Sequence, residues 1–369
     1  MEIDFSGFVG RPVLPIEPSL THAAIRGRRV LITGGGGSIG SDFALAALAA
    51  RPESVILLDA SEHALYESHR RMVRLAKDSP TNVVPIVGSI LDKHLLDRLF
   101  REHCPELVMH TAAYKHVPLM EQNPFSAMAN NAIGTYTLVT AALQSRVEQI
   151  VMVSTDKAVN PQGIMGASKR IAEIVLLSDA SPHVRMNSVR LGNVLGSSGS
   201  VVPLFREQME NGLLLTVTHP DARRYFMTAS EAVVSLMLAT SCTLSGRILL
   251  ADCAPALRVV DLAHYIARQY GAQPARNTPV EFTGLRPGDK LEEELVSSDE
   301  IIEPQPAAGL RVVASPCPSA DDVADGIESL EAAVRNGDRE ALMSVVTHLV
   351  PGYRASETAH PGLQLREAP

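Results

Sequence analysis

The sequence predicts an α/β fold, in which a doubly wound parallel sheet carries helices on both faces and a smaller C-terminal domain follows. From residue 28 onward, short runs rich in Val, Ile and Leu alternate with segments of helical length. Short strands that are apolar throughout are typical of parallel sheets buried on both faces. The 369 residues are enough for about two domains. After residue 190 the alternation becomes irregular, which places the second domain there.

The strands are predicted at residues 30–33, 55–58, 83–87, 107–110, 150–154 and 184–190. The helices are predicted at residues 41–50, 91–103, 131–145, 167–177, 319–336 and 339–349, with Ser319 as the N-cap of the first tail helix. We therefore divide the chain into an extended lead segment (1–27), a sheet domain (28–190), a smaller and partly interleaved domain (191–300) and a helical tail (301–369).

The composition excludes several classes of protein. A net charge of −8 argues against nucleic-acid binding, and the absence of Trp removes the best stacking side chain. The four cysteines include no Cys-x-x-Cys pair, which favours thiols in a reducing cytosol over a metal site. No apolar run approaches the roughly 18 residues of a membrane span, and the first residues lack a signal-peptide pattern. We expect a soluble, cytoplasmic protein without a metal.

A glycine-rich loop follows the first predicted strand and opens the first helix. Its spacing, T-G-x-x-G-x-x-G, uses Gly34, Gly37 and Gly40. Glycines let the backbone turn tightly and approach a pyrophosphate, which then lies at the helix N-terminus. A plain tight turn is the alternative. The position of Asp59, at the end of the second strand and about 20 residues after the loop, favours dinucleotide binding in a Rossmann-type domain.

Asp59 also predicts which dinucleotide is bound. A carboxylate at this point accepts hydrogen bonds from the ribose hydroxyls and repels a 2′-phosphate, so we expect NAD rather than NADP. A cap at the end of the strand is the other interpretation of Asp59. The predicted cofactor-binding residues are completed by Ser38, Ile39, Ala112, Ala113 and Lys169.

The segment after the fifth strand predicts catalysis. It reads Ser154-Thr155-Asp156-Lys157, and Met165 and Lys169 follow. The spacing resembles the Ser…Tyr-x-x-x-Lys set of short-chain dehydrogenases, with Met165 in place of the tyrosine. A thioether cannot donate or accept the proton that a tyrosine exchanges, whereas the adjacent carboxylate and ammonium can. The pattern indicates a reaction with more proton transfers than the oxidation of an alcohol.

Eight segments together resemble extended short-chain dehydrogenases/reductases of the nucleotide-sugar 4,6-dehydratase family, which serves polysaccharide and protein-glycan synthesis. The resemblance is greatest to the branch that acts on UDP-N-acetylglucosamine. The segments are TGGGGSIGS (33–41), LLDASEHALYE (57–67), HTAAYKHVPLME (110–121), NNAIGTY (130–136), STDKAVNPQGIMGASKR (154–170), RLGNVLGSSGSVVPLF (190–205), THPDARRYFMT (218–228) and GLRPGDKLEEEL (284–295). Many members carry this domain behind membrane helices, and the resemblance implies that this chain corresponds to the soluble part.

The family's reaction gives the catalytic residues their expected roles. A hydride leaves C4 of the sugar for NAD, water is eliminated across C5 and C6, and the hydride returns to C6. The resemblance implies Asp156 as the acid at the C6 hydroxyl and Lys157 as the base at C5, for which the pKa of Lys157 would have to fall. Thr155 would bind the C4 hydroxyl and Lys169 the nicotinamide ribose. A solvated loop pair is the alternative for Asp156 and Lys157, and simple packing is the alternative for Met165.

The resemblance also implies a set of residues that bind a UDP-sugar, each of which has a surface role as its alternative. Arginine forks suit phosphate oxygens. The set comprises Lys115, His116, Asn193, Arg224 and Arg286. Three substrate-side segments depart from the family pattern: Ser198 stands for a usual Arg, Asp252-Cys253-Ala254-Pro255 replaces D-M-G-x-P, and Asp289 replaces a Glu.

Two other functions stay open at this point. A nucleotide-sugar epimerase would begin with the same oxidation, although such enzymes usually keep the tyrosine. A catalytically inactive cofactor-binding protein is the second alternative, and the presence of Asp156, Lys157 and Lys169 disfavours it. The resemblance further implies a homo-oligomer that associates through the helices at 131–145 and 167–177.

Overall fold

A computed structural model describes residues 3–11, 18–77, 79–178, 181–251, 253, 255–270, 280–304 and 310–355. The strands are β1 (Arg29–Thr33), β2 (Ser54–Asp59), β3 (Asn82–Val87), β4 (Leu107–His110), β5 (Gln149–Thr155), β6 (Arg185–Leu191), β7 (Asn193–Val194), β8 (Leu215–Val217), β9 (Arg223–Arg224), β10 (Phe226–Met227), β11 (Arg247–Leu250), β12 (Leu257–Arg258), β13 (Val280–Phe282), β14 (Ile301–Ile302) and β15 (Arg311–Ala314).

The α-helices are α1 (Ser6–Val9), α2 (Pro18–Ala23), α3 (Ser38–Ala49), α4 (Glu62–Leu75), α5 (Lys93–His103), α6 (Val117–Gln122), α7 (Pro124–Ala127), α8 (Gly134–Leu143), α9 (Ile164–Ser178), α10 (Val201–Glu210), α11 (Ala229–Thr240), α12 (Val259–Gln269), α13 (Ala320–Asn336) and α14 (Arg339–Leu349). A π-helical turn, Met128–Ile133, precedes α8, and a 3₁₀ turn, Asp156–Ala158, follows β5.

Nine strands form the central sheet in the order β14-β15-β11-β6-β5-β4-β1-β2-β3. The strands from β3 across to β11 run parallel, and β15 and β14 then pair antiparallel at the far edge. The order 3-2-1-4-5-6 is that of a doubly wound dinucleotide-binding sheet. The predicted fold class is therefore confirmed. Between β1 and β4 the strand order reverses, which is where ligands of such sheets bind.

The predicted strands agree with the structure to within one residue at each end, because most of them are short apolar runs with clear limits. The helices agree less closely. The predicted helix at 131–145 begins as the π-helical turn, and the amphipathic α4 was not named in the prediction. The predicted helical tail is wrong for residues 301–302 and 311–314, because β14 and β15 extend the central sheet there.

The faces of the sheet are covered by two layers with separate cores. One core joins α5, α8 and α9 to the sheet and also contains apolar residues of α13 and α14. The other joins α3, α4 and α11 to the opposite face. The tail helices contact α9, which is buried along nearly its whole length. In this structure the tail thus covers the helix at 167–177 that we predicted as an oligomer interface, and a homo-oligomer stays a prediction.

A third core forms a smaller unit beside the carboxyl edge of the sheet. It is built from α10, α12 and the short strand pairs β8–β13 and β7–β10, with Phe205 and Phe226 fully buried. The lead segment packs onto it: the Phe8 ring lies edge-on to Phe226 with centroids 5.6 Å apart. The predicted extended conformation is therefore wrong for α1 and α2. In α1 the apolar Phe8 and Val9 cover the third core. The exact division into domains stays a prediction.

A buried ion cluster joins β6, α9 and the segment after the third core. Arg190 is 1 % exposed and makes paired hydrogen bonds of 2.7–2.9 Å to Glu173 on α9 and to Glu300. These contacts hold the pKa of Glu173 at about 2 although burial opposes ionisation. Both carboxylates are thus charged at neutral pH, and each depends on the same guanidinium.

We predict that Arg190→Met lowers the free energy of unfolding by about 3–5 kcal/mol, because it removes the main partner of two buried carboxylates and leaves Arg170 as their remaining cation. Urea denaturation at pH 7 measures the loss. Arg258→Met is the matched control, since Arg258 and Asp261 form an exposed pair on one helix, and it should leave the free energy nearly unchanged. An equal effect of the two substitutions would contradict the importance of the buried cluster.

Candidate active site

The glycine loop between β1 and α3 leaves no room for side chains at two of its predicted positions. Gly34 has φ of +67°, and a Cβ there would lie 2.7 Å from the backbone nitrogen of Ala112. A Cβ on Gly40 would collide with the carbonyl oxygen of Gly34. Gly37 is the N-cap of α3, without a side-chain hydrogen bond, so the first N–H groups of this helix are available to an anion.

Asp59 lies at the end of β2 beside this loop. Its Oδ2 accepts from the Gly36 N–H at 2.9 Å, and its Oδ1 accepts from the Ser61 N–H at 2.8 Å. The carboxylate is therefore fixed in place and caps the strand, and its contact with a ribose stays a prediction. Each oxygen keeps a lone pair for a further donor.

A cleft of ≈ 590 Å³ runs along the carboxyl edge of the sheet between the first domain and the third core. Most predicted site residues line it. Those predicted for the cofactor are all in the lining: Gly34, Gly37, Ser38, Ile39, Gly40, Asp59, Ala112, Ala113 and Lys169. Of the others, the lining includes Thr155, Lys157, Met165, Lys115, His116 and Asn193. One cleft thus brings together residues from β1 to β7.

Thr155, Asp156 and Lys157 form a short hydrogen-bonded group at the end of β5. Asp156 is fully buried, and its Oδ1 accepts from the Thr155 hydroxyl at 2.8 Å and from Lys157 Nζ at 2.9 Å. Lys157 also donates to Asn193 Oδ1 at 2.9 Å. The arrangement excludes the solvated loop pair. It holds an ammonium and a hydroxyl each within proton-transfer distance of one carboxyl oxygen.

The expected fall in the pKa of Lys157 is wrong for this structure. Burial does favour the neutral amine, but the carboxylates of Asp156 and Glu293 outweigh it and raise the pKa. Lys157 is therefore an ammonium at neutral pH. The lysine with the lowered pKa is Lys169, which burial brings to about 8 against the opposing charge of Glu173.

Met165 and Lys169 lie one turn apart on α9, and both line the cleft. Met165 is 3 % exposed and belongs to the core that contains α9, so it packs and faces the cleft at once. The neighbouring His110 is bonded to Thr33 and Thr135 on either side. Burial and Lys169 lower the pKa of His110 to about 3, so this histidine is neutral and joins β1, β4 and α8.

The loop at 196–200 crosses the mouth of the cleft. Lys115 Nζ donates to the Ser198 carbonyl at 2.6 Å, and the Ser198 N–H donates to the Ser38 hydroxyl at 3.1 Å. Burial lowers the pKa of Lys115 and of His116. Ser198, which departs from the family pattern, thus contacts the cofactor loop through its backbone, whichever side chain it carries.

Two predicted phosphate-binding arginines lie outside the lining of the cleft as described. Arg224 is 8 % exposed and donates to the carbonyls of Arg223, Lys290 and Leu291. Arg286 is paired with Asp289 at 2.9 Å. Because the protein itself uses these donors, a contact with phosphate stays a prediction. Of the departing segment 252–255, residues 252 and 254 lie outside the described residues.

The structure adds two site residues that sequence reasoning missed. Asn131, in the π-helical turn, exchanges two hydrogen bonds with the backbone of Tyr114 and donates to Ser168, so it fixes the loop after β4 against α9. A π-helical turn often marks a functional site. Glu293 lies 3.6 Å from Lys157 Nζ, although it belongs to a run of three glutamates that the sequence predicts as solvated.

The fold and the site define the class: a Rossmann-type dinucleotide-binding fold with a cleft at the carboxyl edge of its sheet. Residues 30–314 match the family model described as polysaccharide biosynthesis protein. The chain belongs to this family.

Known proteins support this membership. The chain is 38% identical over 302 residues to the capsular polysaccharide biosynthesis protein CapD of Staphylococcus aureus, covering 81% of this chain and 50% of CapD. It is 37% identical to the probable polysaccharide biosynthesis protein EpsC of Bacillus subtilis, with the same coverage. The chain thus spans about half the length of these two relatives. A UDP-glucose 4-epimerase of Rickettsia canadensis is 32% identical, covering 74% of this chain and 79% of the epimerase.

Solved structures share the fold. Pen from Bacillus thuringiensis superposes with a TM-score of 0.69 at 29% identity, covering 80% of this chain and 89% of Pen. The dTDP-glucose 4,6-dehydratase DesIV of Streptomyces venezuelae, solved with NAD, gives a TM-score of 0.65 at 22% identity, covering 86% and 99% of the two chains. No helix in the part of our chain that the structure describes is long and apolar enough to cross a bilayer.

We predict that Lys169 reacts with formaldehyde and cyanoborohydride with a pH midpoint of about 8, because burial removes its ordinary preference for the charged form. Lys157 should react only at higher pH, since two carboxylates hold its proton. Mass spectrometry of peptides labelled across a pH series measures both midpoints, with the exposed Lys93 as reference. A lower midpoint for Lys157 than for Lys169 would contradict the charges assigned to the site.

Proposed function

We propose that the chain is an NAD-dependent 4,6-dehydratase of a UDP-amino sugar, with UDP-N-acetylglucosamine as the first substrate to test. The observation that carries the proposal is the contact of 2.9 Å between the buried Asp156 and Lys157. Lys157 lines the cleft, where Met165 takes the position of a catalytic tyrosine, and Asp156 lies directly behind it. A carboxyl and an amine that share one proton suit the removal of water, which needs an acid and a base together.

The cleft fits a nicotinamide dinucleotide. Gly34 and Gly40 leave backbone exposed where a Cβ cannot be accommodated, and the open N-terminus of α3 suits a pyrophosphate. Asp59 is fixed beside the loop for the ribose hydroxyls, and Lys169 is close enough to the catalytic group to bind the second ribose. When bound, NAD would supply the acceptor for the C4 hydride and return that hydride to C6.

The chain's own residues supply the proton transfers. Passage of one proton from Lys157 Nζ to Asp156 Oδ1, across 2.9 Å, produces a neutral amine and a carboxylic acid in one step. The amine can then take the proton from C5 while the acid protonates the departing C6 hydroxyl, which leaves as water. Thr155, which already donates to Asp156, is placed to hold the C4 hydroxyl. This exchange reconciles the raised pKa of Lys157 with a role as base.

An epimerase is the second candidate, because the relative from Rickettsia canadensis is named a UDP-glucose 4-epimerase. Such a reaction needs no acid at C6, so it gives Asp156 no role. In either reaction, the third core would hold the sugar nucleotide against the cofactor domain. A cytoplasmic location and a homo-oligomeric state remain part of the proposal.

We predict that NAD binds more tightly than NADP and that Asp59→Asn reduces the ratio of the two affinities by at least about tenfold, because the substitution removes the charge that repels a 2′-phosphate. Isothermal titration measures both affinities. Glu62→Gln is the matched control, since Glu62 is an exposed carboxylate three residues away and should leave the ratio unchanged. Equal affinities in the unaltered chain would overturn the preference for NAD.

We predict that the chain converts UDP-N-acetylglucosamine to a product lighter by one water, and that Lys157→Ala and Asp156→Asn each lower kcat by about 10²–10⁴-fold, as expected for loss of a general acid or base. Mass spectrometry of the product measures the reaction. NAD affinity, measured in parallel, separates chemistry from cofactor loss.

The matched controls are Lys93→Ala and Asp325→Asn, which remove an exposed lysine and an exposed aspartate outside the cleft. Both should retain full activity. A product of unchanged mass that contains a new sugar would replace the dehydratase by the epimerase. Full activity of either Lys157→Ala or Asp156→Asn would contradict the roles of Lys157 as base and Asp156 as acid.

A further inference from the structure

Glu293 occupies a position that the proposed reaction has not used. Its side chain is 2 % exposed, and its Oε1 lies 3.6 Å from Lys157 Nζ and 3.6 Å from Arg224 Nε. Its Oε2 is buried and has no hydrogen-bond partner among the described residues. A buried carboxylate oxygen without a donor is costly, whereas a protonated carboxyl carries less of that cost.

A small cavity of ≈ 10 Å³ adjoins Glu293. Its polar residues are Lys157, Gln162, Lys290 and Glu293, and Gly163, Gly166 and Gly288 form much of the rest. The volume is close to that needed by a single water molecule. Lys157 lines both this cavity and the main cleft, whereas Glu293 lines only the cavity. Glu293 can therefore act on the reaction only through Lys157.

Four charged groups face Glu293. The nearest cations are Lys157, Arg224 and Lys290, and the nearest carboxyl is Asp156. Burial is the largest influence and raises the pKa of Glu293, Asp156 raises it further, and the three cations oppose this. Lys290 donates to the Val159 carbonyl at 2.6 Å. Lys157 and Arg224, both at 3.6 Å, are therefore the closest cations to Glu293, and neither is within hydrogen-bond distance of it.

We propose that Glu293 is a positioning residue that sets the charge of Lys157: protonated, it lets Lys157 pass its own proton to Asp156, and ionised, it holds Lys157 as an ammonium. This role rests on the proposed dehydration. Glu293 does not contact the substrate in this role, because its carboxyl acts on Lys157 electrostatically across 3.6 Å.

The proton count explains why one charge matters. With Glu293 protonated, Asp156 and Lys157 form a neutral pair, and transfer of one proton between them leaves two uncharged groups. With Glu293 ionised, the same transfer would leave its buried carboxylate beside Arg224 at 3.6 Å but without the equally close Lys157 ammonium. Because a buried carboxylate then loses one of its two closest cations, the transfer is less favourable than when Glu293 is protonated.

The test compares Lys157 in the full chain and in Glu293→Gln, which keeps the shape of the side chain and removes its charge. Reductive methylation across a pH series, read by mass spectrometry, gives the labelling midpoint of Lys157, whose side chain is 22% exposed. At the pH at which Lys157 loses its proton, Glu293 is ionised. Glu293→Gln removes that negative charge and should therefore lower the labelling midpoint of Lys157 by about 1–3 pH units. Glu294→Gln is the matched control, because Glu294 is the half-exposed neighbour that contacts Lys290.

Activity supplies the second measurement. In the unaltered chain kcat should fall with rising pH as Glu293 ionises, and Glu293→Gln should lack that fall. Glu293→Leu separates charge from hydrogen bonding, since it keeps volume and loses polarity. Near-UV circular dichroism and NAD affinity identify any variant that has not folded.

An unchanged Lys157 midpoint in a folded Glu293→Gln variant would overturn the proposal, as would an alkaline limb identical to that of the unaltered chain. If the unaltered chain releases no water from a UDP-sugar, the proposed function fails by itself. The Lys157 midpoints then still decide the role of Glu293, because labelling requires no turnover.

Discussion

The contact on which the site depends most is the one between Arg190 and its two carboxylates. Arg190 is the largest fully buried side chain, and it ties β6 to α9 through Glu173 and to the segment after the third core through Glu300. Because α9 carries the cleft lysine and β6 leads into Asn193, this cluster fixes the separation of two walls of the cleft. A buried ion cluster of this kind gives specificity of arrangement more than stability.

The pairing of buried charges also governs the catalytic group of Thr155, Asp156 and Lys157. In the resting protein, the buried Asp156 and Glu293 both face Lys157, so the amine is held as a cation between a hydrogen-bonded carboxyl and a more distant one. For Lys157 to act as a base, a neighbouring group must take up its proton at the moment of reaction. Asp156, at 2.9 Å from Lys157 Nζ, is the partner that exchanges the proton. Glu293, at 3.6 Å from the same atom, is the partner that controls the exchange.

The sequence predicted what local patterns encode and missed what distant segments supply. Apolar runs located the sheet, and glycine spacing located the cofactor loop, because both depend on neighbouring residues. Glu293 was missed since it lies 136 residues from Lys157 within three consecutive glutamates, a pattern typical of solvated surface. The charge of Lys157 was predicted wrongly for the same reason: burial could be expected from the strand, but the second carboxylate could not. Arg224 similarly meets backbone carbonyls that its own segment does not reveal.

The tail helices α13 and α14 can influence the active site although they do not line the cleft. The family match ends at residue 314, whereas α13 and α14 lie beyond it and pack on α9. Leu330 and Val346 share a core with Ile171 and Ile174, which flank or follow Lys169 on that helix. Mutations in a stretch outside the shared family region can therefore tilt the helix that bears the reactive lysine. Sequence differences in the helices that support α9 can adjust the geometry of the site while the residues in the cleft stay the same.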